Sequence, residues 1–585
     1  MEKRKKEDPR TARPRPPFDD PRRSAMEMLR WARPLLTDDE VRQSEGLARA
    51  FLDGAGPPLQ EELNRLRRQT DDVILDEVPY WEGWYLSCRE PLPVHVNPFY
   101  LLDEAALPAE EDRCRLAARL ALAAASFCLD IDRGQVEPDR FREETLCMVP
   151  YGKLFRCSRG AFPVRDRQIL GEASSLEGRS AVVFAGGRPF LLELISPDGA
   201  LRDLDETAAH LRSLVAGGTA EALPLGLMTC LDRERAAAFR KEFTAASSEN
   251  VAALKAIEGA LFALRLDGPC GPSLDERARH FLFDEGQNGW YEKSFQIIVT
   301  ADGAAGLNFE HSLRDGTYLG RLVKELLARS SRPGGEGRLP LGPRPIPYVL
   351  DDGLKGELAR AEWACRDLSA RRRQRLYRFD TFGRERVKAG CLSPDAFVQI
   401  AFLVAQRALW REWRSVYESV QMRRFRLGRT EGTRPLTDEA AAFVRAFRGG
   451  GGREELVGLL LASGEAHRRR IDQCLDGRGV EGHLGLLKRI WELRGEALGL
   501  DRPTLFDSPA WLKLTSNFFS SSTTAGVGLT LAGYGPVQIG GLGLRYLSRP
   551  DHFLFHVSSW AEEDKGEGFV EALDEALPVL GSLLK

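Results

Sequence analysis

The stretch that decides the fold runs from residue 288 to residue 316, NGWYEKSFQIIVTADGAAGLNFEHSLRDG. Its β-branched and aromatic run Phe295-Gln-Ile-Ile-Val-Thr300 predicts a strand, Asp302-Gly303 predicts a turn, and Gly306-Leu-Asn-Phe309 predicts a second strand. His311 therefore stands where a strand gives way to a loop, the place where functional groups concentrate on a rigid scaffold. A histidine followed four residues on by Asp315 and then by Gly316 can serve as a general base. The carboxylate fixes one imidazole tautomer, and the other nitrogen is left to take a proton from a hydroxyl or thiol.

Outward from this segment, helices and strands interleave. Between 181 and 198, AVVFAGG and RPFLLELI joined at Gly186-Gly187 predict a hairpin. The Ala-rich residues 105–129 predict a buried helix, and Leu47, Phe51, Leu59 and Leu63 predict helices broken at 54–58. The Gly- and Pro-dense run 331–347 predicts a connection between two halves. Helices are predicted from about 353 to 425 and from 436 to 500, the latter interrupted at Gly449 to Gly452. The last third returns to β, and there the pair His552 and His556 reads as part of a strand rather than as a helical metal pair. The pattern is that of an α/β or α+β chain in two halves.

A chain of 585 residues exceeds the roughly 100–200 of one domain. No run of about 18 apolar residues offers a transmembrane segment, so a soluble chain is expected. The near balance of 83 Lys and Arg against 86 Asp and Glu provides no global field for nucleic acid or an anionic membrane. Ten cysteines scattered without C-x-x-C, and the lack of a signal peptide, suit a reducing, cytoplasmic setting. The dispersed histidines predict no metal site. Residues 1–24 are basic and Pro-rich, and we expect them to be disordered. Glu2, Glu7 and Asp8 argue against a mitochondrial transit peptide.

The string from Asn288 to Gly316 resembles the active-site segment of the carnitine/choline acyltransferases, and further segments follow in that family's order from about Leu35 to Trp560. Arg384, Lys388 and Leu392-Ser393-Pro394-Asp395 are similar to its coenzyme A segment, and Arg468 matches a further coenzyme contact. Two cations four residues apart suit a phosphate, each adding charge-assisted hydrogen bonds. Tyr417, Ser419 and Thr430 match hydroxyls that hold the carboxylate end of carnitine, and Ser522-Thr523-Thr524 stands at the family's Ser-Thr-Ser triplet, so Ser522 joins the acceptor set. The resemblance assigns Thr524 to the oxyanion, His311 to the general base and Asp315 to orienting it.

What the resemblance implies as a whole is two similar α/β domains of the chloramphenicol-acetyltransferase-like type, mixed sheets flanked by helices, with an active-site tunnel between them. The expected divisions are a tail at 1–24, a helical segment at 25–88 packing on the C-terminal domain, a catalytic domain at 89–345 and a second domain at 346–585. Acyl-CoA enters as a substrate with no permanently bound cofactor; the partners are small molecules and the chain is expected to be a monomer. Two positions depart from relatives. Gly482 stands where carnitine-specific members have an Arg that pairs with the carnitine carboxylate. Losing such a contact costs roughly tenfold to a few hundredfold in affinity, so choline, another alcohol or a carrier-linked acyl chain competes as a reading, as does a non-catalytic acyl-CoA-binding protein. Ala532 stands where short-chain members place a bulky residue, which implies an acyl pocket for medium or long chains.

Overall fold

The computed structural model describes residues 13–69, 80–110, 112–217, 224–312, 314–332, 335, 342–524 and 527–584. Three helices lead, α1 (Pro21–Ala32), α2 (Asp38–Asp53) and α3 (Gly56–Gln69). Asp20 caps α1 by accepting from the Arg23 amide, and Thr37 and Glu40 close a capping box on α2. Their apolar faces, with Trp31, Phe51 and Leu63, join the same core as the C-terminal residues Phe402 and Tyr546.

The strands that build the two large sheets are, in chain order, β1 (Phe99–Leu102), β2 (Ser180–Ala185), β3 (Arg188–Glu193), β4 (Ala263–Asp267), β5 (Phe295–Thr300), β6 (Ala305–Phe309), β7 (Arg344–Pro345), β8 (Arg372–Phe379), β9 (Val416–Gln421), β10 (Thr430–Thr433), β11 (Phe519–Thr523), β12 (Leu529–Gly533), β13 (Leu542–Ser548) and β14 (Phe553–Trp560). The first sheet has the order β7-β3-β2-β4-β5-β6-β1-β12 and the second β8-β14-β13-β11-β9-β10. Both are mixed: β4 and β5 run parallel while β5 and β6 run antiparallel, and β11 lies parallel to β9 and β13. Strands β5 and β6 are buried along their whole length, as expected where both faces of a sheet are covered. The helices α4 (Arg113–Asp132) and α5 (Gly316–Ser330) cover one face and share its core.

Several expectations need correction. Residues 13–24 are placed, not disordered. Phe18 is 6% exposed and stacks on His483 with ring centroids 5.5 Å apart, and the Arg67 guanidinium donates to the carbonyls of Pro16 and Phe18. Residues 1–12 lie outside the described residues, as do 333–334 and 336–341 of the expected connection. Within the stretch expected to be helical from 353 to 425, β8 and β9 are strands. Strand β8, RRQRLYRF, is an edge strand with exposed Arg373 and Arg378 and half-buried residues between them, so it lacks an apolar signature. The boundary at 346 also shifts. Helix α6 (Asp352–Arg371) puts Leu354, Leu358, Ala361 and Cys365 into a core with Val182 and Phe184 of the first sheet. Strand β12, from the C-terminal half, pairs with β1 at Phe99↔Gly533 and Tyr100↔Ala532.

Candidate active site

His311 follows β6 directly, and its carbonyl and those of its neighbours are held by one side chain. Arg429, which precedes β10, donates to the carbonyl oxygens of His311 (3.0 Å) and Ser312 (2.6 Å) and grips both carboxylate oxygens of Asp315 at 2.9 and 3.1 Å. From beneath, Glu310 accepts from the Ser312 amide at 3.0 Å and hydroxyl at 2.6 Å, and is itself paired with buried Arg159 at 3.2 Å. The Tyr85 ring stacks on the imidazole, centroids 5.2 Å apart and planes 15° from parallel.

This geometry changes the role expected for Asp315. Its Oδ1 is 3.9 Å from His311 Nδ1, beyond hydrogen-bonding reach, and Nδ1 is buried with no hydrogen-bond partner among the described residues. Asp315 thus acts on His311 through Arg429 and through its charge, not as a direct orienting acceptor. Burial pushes the imidazole below its ordinary 6.5, the negative charge of Asp315 opposes this, and Arg429 adds to it. The ring is therefore neutral at physiological pH and free to take a proton.

His311 and Asp315 border a cavity of about 1550 Å³. Tyr417, Ser419, Thr430, Ser522 and Thr524 are on its wall as well, so the structure brings the expected base, oxyanion and acceptor residues together. Within this group Ser522 Oγ accepts from Arg545 Nη1 at 2.7 Å. Ala532 is not on the wall. Its methyl is buried in the core under α4 and α5, and the wall residue is its neighbour Gly533, where a Cβ would come within 2.6 Å of the Phe99 ring. Period-two alternation along β12 turns these adjacent positions to opposite faces.

The expected coenzyme residues form a separate group, none lining the cavity. Arg384 and Lys388 lie one turn apart on the helix Arg384–Ala389, exposed and sharing Glu385 at 3.2 and 3.4 Å. Ser393 stands at the N-cap position of the helix Pro394–Leu409 without a side-chain capping bond, and Asp395 is in the first turn. Arg468 is 59% exposed and held by Glu465 and Asp472 on its own helix. Its neighbour His467, which sequence reasoning passed over, points inward: its Nε2 is 3.1 Å from Asp395 and 3.3 Å from Glu418, and Tyr546 donates to both acids. Burial opposes a charge on His467, but the hydrogen bonds to Asp395 and Glu418 outweigh it and hold the imidazole up at about 9. A ring protonated there neutralises the acids and has no lone pair at Nε2 for a metal, although the three side chains bring ligand-type atoms within 4.8 Å of one another.

At the acceptor end, Gly482 has no room for a side chain. Its amide donates to both oxygens of Glu431 at 3.1 and 3.2 Å, and a Cβ would lie 2.6 Å from Glu431 Oε2 and 3.2 Å from the Phe18 ring. Glu481 on the wall is paired with Arg434 at 2.6 Å, and the Arg434 guanidinium lies 5.3 Å from the centre of the Tyr417 ring. Arg429, Tyr85, His467 and Glu481 are all functional-site neighbours that the one-dimensional motifs did not reveal; only their proximity in the fold marks them.

Among the described residues no helix is long and apolar enough to cross a membrane. The chain is 27% identical over 596 residues to a mitochondrial carnitine O-palmitoyltransferase 2 from Xenopus tropicalis, covering 94% of this chain and 89% of the relative. The human choline O-acetyltransferase is 28% identical over 579 residues, covering 94% and 76%. Among solved structures, the epimerization domain from the third module of tyrocidine synthetase B aligns over 85% of this chain and 95% of its own, at 10% identity and a TM-score of 0.39. The family model described as Choline/Carnitine o-acyltransferase matches residues 17–575. The chain belongs to the choline/carnitine O-acyltransferase family.

Proposed function

We propose that this protein transfers an acyl group between coenzyme A and the hydroxyl of a small alcohol, with His311 as general base. The observation that carries the reading is a stacked imidazole on the wall of a cavity of about 1550 Å³ that the hydroxyls of Tyr417, Ser419, Thr430, Ser522 and Thr524 also line. His311 takes the proton from the acceptor hydroxyl, or from the thiol in reverse. The oxygen attacks the thioester carbonyl, Thr524 hydrogen-bonds the resulting oxyanion, and collapse expels the thiolate, which regains the proton from the imidazolium. The cavity has space for an acyl group larger than acetyl.

The acceptor best suited to this wall carries no carboxylate. Where relatives that use carnitine place a cation, this chain has Gly482 packed against Glu431 and Phe18, with Glu481 on the wall. An acceptor carboxylate there would lose the charge-assisted contact that the missing cation supplies, whereas choline brings no such charge.

The test is thiol release from acyl-CoA by the purified protein with choline, carnitine or no acceptor. Choline-stimulated release that disappears in His311→Ala, with CoA binding retained, is the expected result. Undiminished turnover in His311→Ala would sink the mechanism, and stimulation by carnitine alone would sink the acceptor assignment.

A further inference from the structure

Beyond the hydroxyls, the cavity wall carries a buried cation that no acid among the described residues answers. Arg545 lies in the middle of β13, in register with Ser522 of β11 on one side and His556 of β14 on the other. It is 7% exposed and lines the cavity. Nη1 is taken up by Ser522 Oγ at 2.7 Å, Nη2 has a long contact of 3.5 Å to the Tyr100 hydroxyl, and Nε is buried with no hydrogen-bond partner among the described residues. The other buried arginine on the wall, Arg423, is paired with Asp139 at 2.5 Å, and buried Arg159, Arg233 and Arg434 each hold carboxylates. Among the described residues Arg545 meets only neutral hydroxyls. A guanidinium removed from water without an anion is costly, and an anion that enters the cavity would supply the missing charge-assisted contact.

The position of this guanidinium is set by the sheet. Strand β11, carrying Ser522 and leading into Thr524, separates β13 from the acceptor strands β9 and β10. Arg545 is thus across β11 from Tyr417, Ser419 and Thr430. Its contact Tyr100 faces the carbonyl of Gly316, at the start of the helix that follows the His311 loop, at 3.4 Å. Behind it, the backbone of Gly533 packs tightly: a Cβ there would meet the buried Phe99 ring at 2.6 Å and the His556 ring at 2.9 Å.

We propose that Arg545 binds a carboxylate at the far end of the acyl group, so that the donors this protein prefers are short dicarboxylic acyl-CoAs. The proposal rests on the acyl-transfer reading and names its donor. The distal carboxylate is a spectator: it is held by the Arg545 guanidinium while the thioester carbonyl reacts beside His311 and Thr524.

The experiment compares glutaryl-CoA with valeryl-CoA, which match in carbon count and differ in the terminal carboxylate, and with free CoA, in competition binding to wild-type protein, Arg545→Met and Arg545→Lys. Wild-type protein should bind glutaryl-CoA about ten- to a hundredfold more tightly than valeryl-CoA. Arg545→Met should abolish or invert that preference with free CoA binding unchanged, and Arg545→Lys should keep part of it. Equal binding of the two thioesters by the wild type overturns the proposal without any variant, so a variant that fails to fold does not rescue it. A preference that persists in Arg545→Met also overturns it, as does an equal loss of turnover with both donors, which would place Arg545 at the oxyanion instead. Failure of free CoA to bind would remove the acyl-transfer reading and this proposal together, a result separable from equal binding of the two thioesters.

Discussion

At the scale of single residues, the central fact is that His311 is tuned by its surroundings rather than by a bonded acid. Burial is the largest influence and lowers its proton affinity, so the acidic limb of kcat/KM against pH should have its midpoint below 6.5. A pH–rate profile checks this, and a midpoint above 6.5 would contradict it. Arg429→Lys keeps the positive charge near the ring but loses the fork that holds two carbonyls and Asp315. It should lower kcat/KM by up to about a hundredfold through misplacement of the loop, with little movement of that midpoint. Glu431 is a second informative residue. Burial, and then the charge of Glu481, raise its carboxyl to about 8 from an ordinary 4.5. Because the folded value is the higher one, its contribution to stability is complete below about 4.5 and is lost as pH rises through about 8. Glu431→Gln should therefore flatten the fall of melting temperature across that window; an unchanged slope would count against the assignment.

At the scale of elements, the segment ahead of α1 is packed against the helix Glu481–Arg494. Phe18 stacks on His483, which is wedged between the Ser24 hydroxyl and Gln60 at 2.8 Å each, and the same ring blocks the space beside Gly482. Phe18→Ala should destabilise the fold by about 3–5 kcal/mol, measured by denaturant unfolding. A cost within about 0.5 kcal/mol would show that the segment is only loosely laid on the surface. How much of each element was legible followed from its burial. Strands β5 and β6 have an uninterrupted apolar signature because both faces are covered, and the turn at Gly186-Gly187, with φ of 58° and 76°, requires the left-handed backbone that glycine allows. Strand β8 has no such signature, since one side is a sheet edge and its arginines reach outward to Asp564 and Asp380. Residues 13–24 misled for the opposite reason: a Pro- and Arg-rich composition that cannot build a core can still be ordered by a core supplied elsewhere, here by α3 and the helix Glu481–Arg494.

At the scale of the whole molecule, the two halves are stitched together. Strand β12 leaves the C-terminal half to close the edge of the first sheet beside β1, α1 to α3 share the core of the second sheet, and α6 packs on the first. Cutting the chain near 346 would strip each half of an element it needs, so unfolding of the intact protein should be a single cooperative transition by calorimetry. Two well-separated transitions would show that the halves fold independently.

Local periodicity by itself determined an interleaved α/β or α+β chain in two halves and the strand pair that leads to His311, while the family resemblance carried by short contiguous strings implied the two helix-flanked sheets and the hydroxyls that line the cavity. The tertiary structure decided what those groups do. It took Asp315 from His311 and gave it to Arg429, 114 residues on, placed Gly533 rather than Ala532 on the cavity wall by the alternation of a strand, and set Arg545 on that wall with no acid beside it among the described residues. Charge pairing and burial are properties of neighbours in space, and no spacing along the chain encodes which of the 83 basic residues meets which acid.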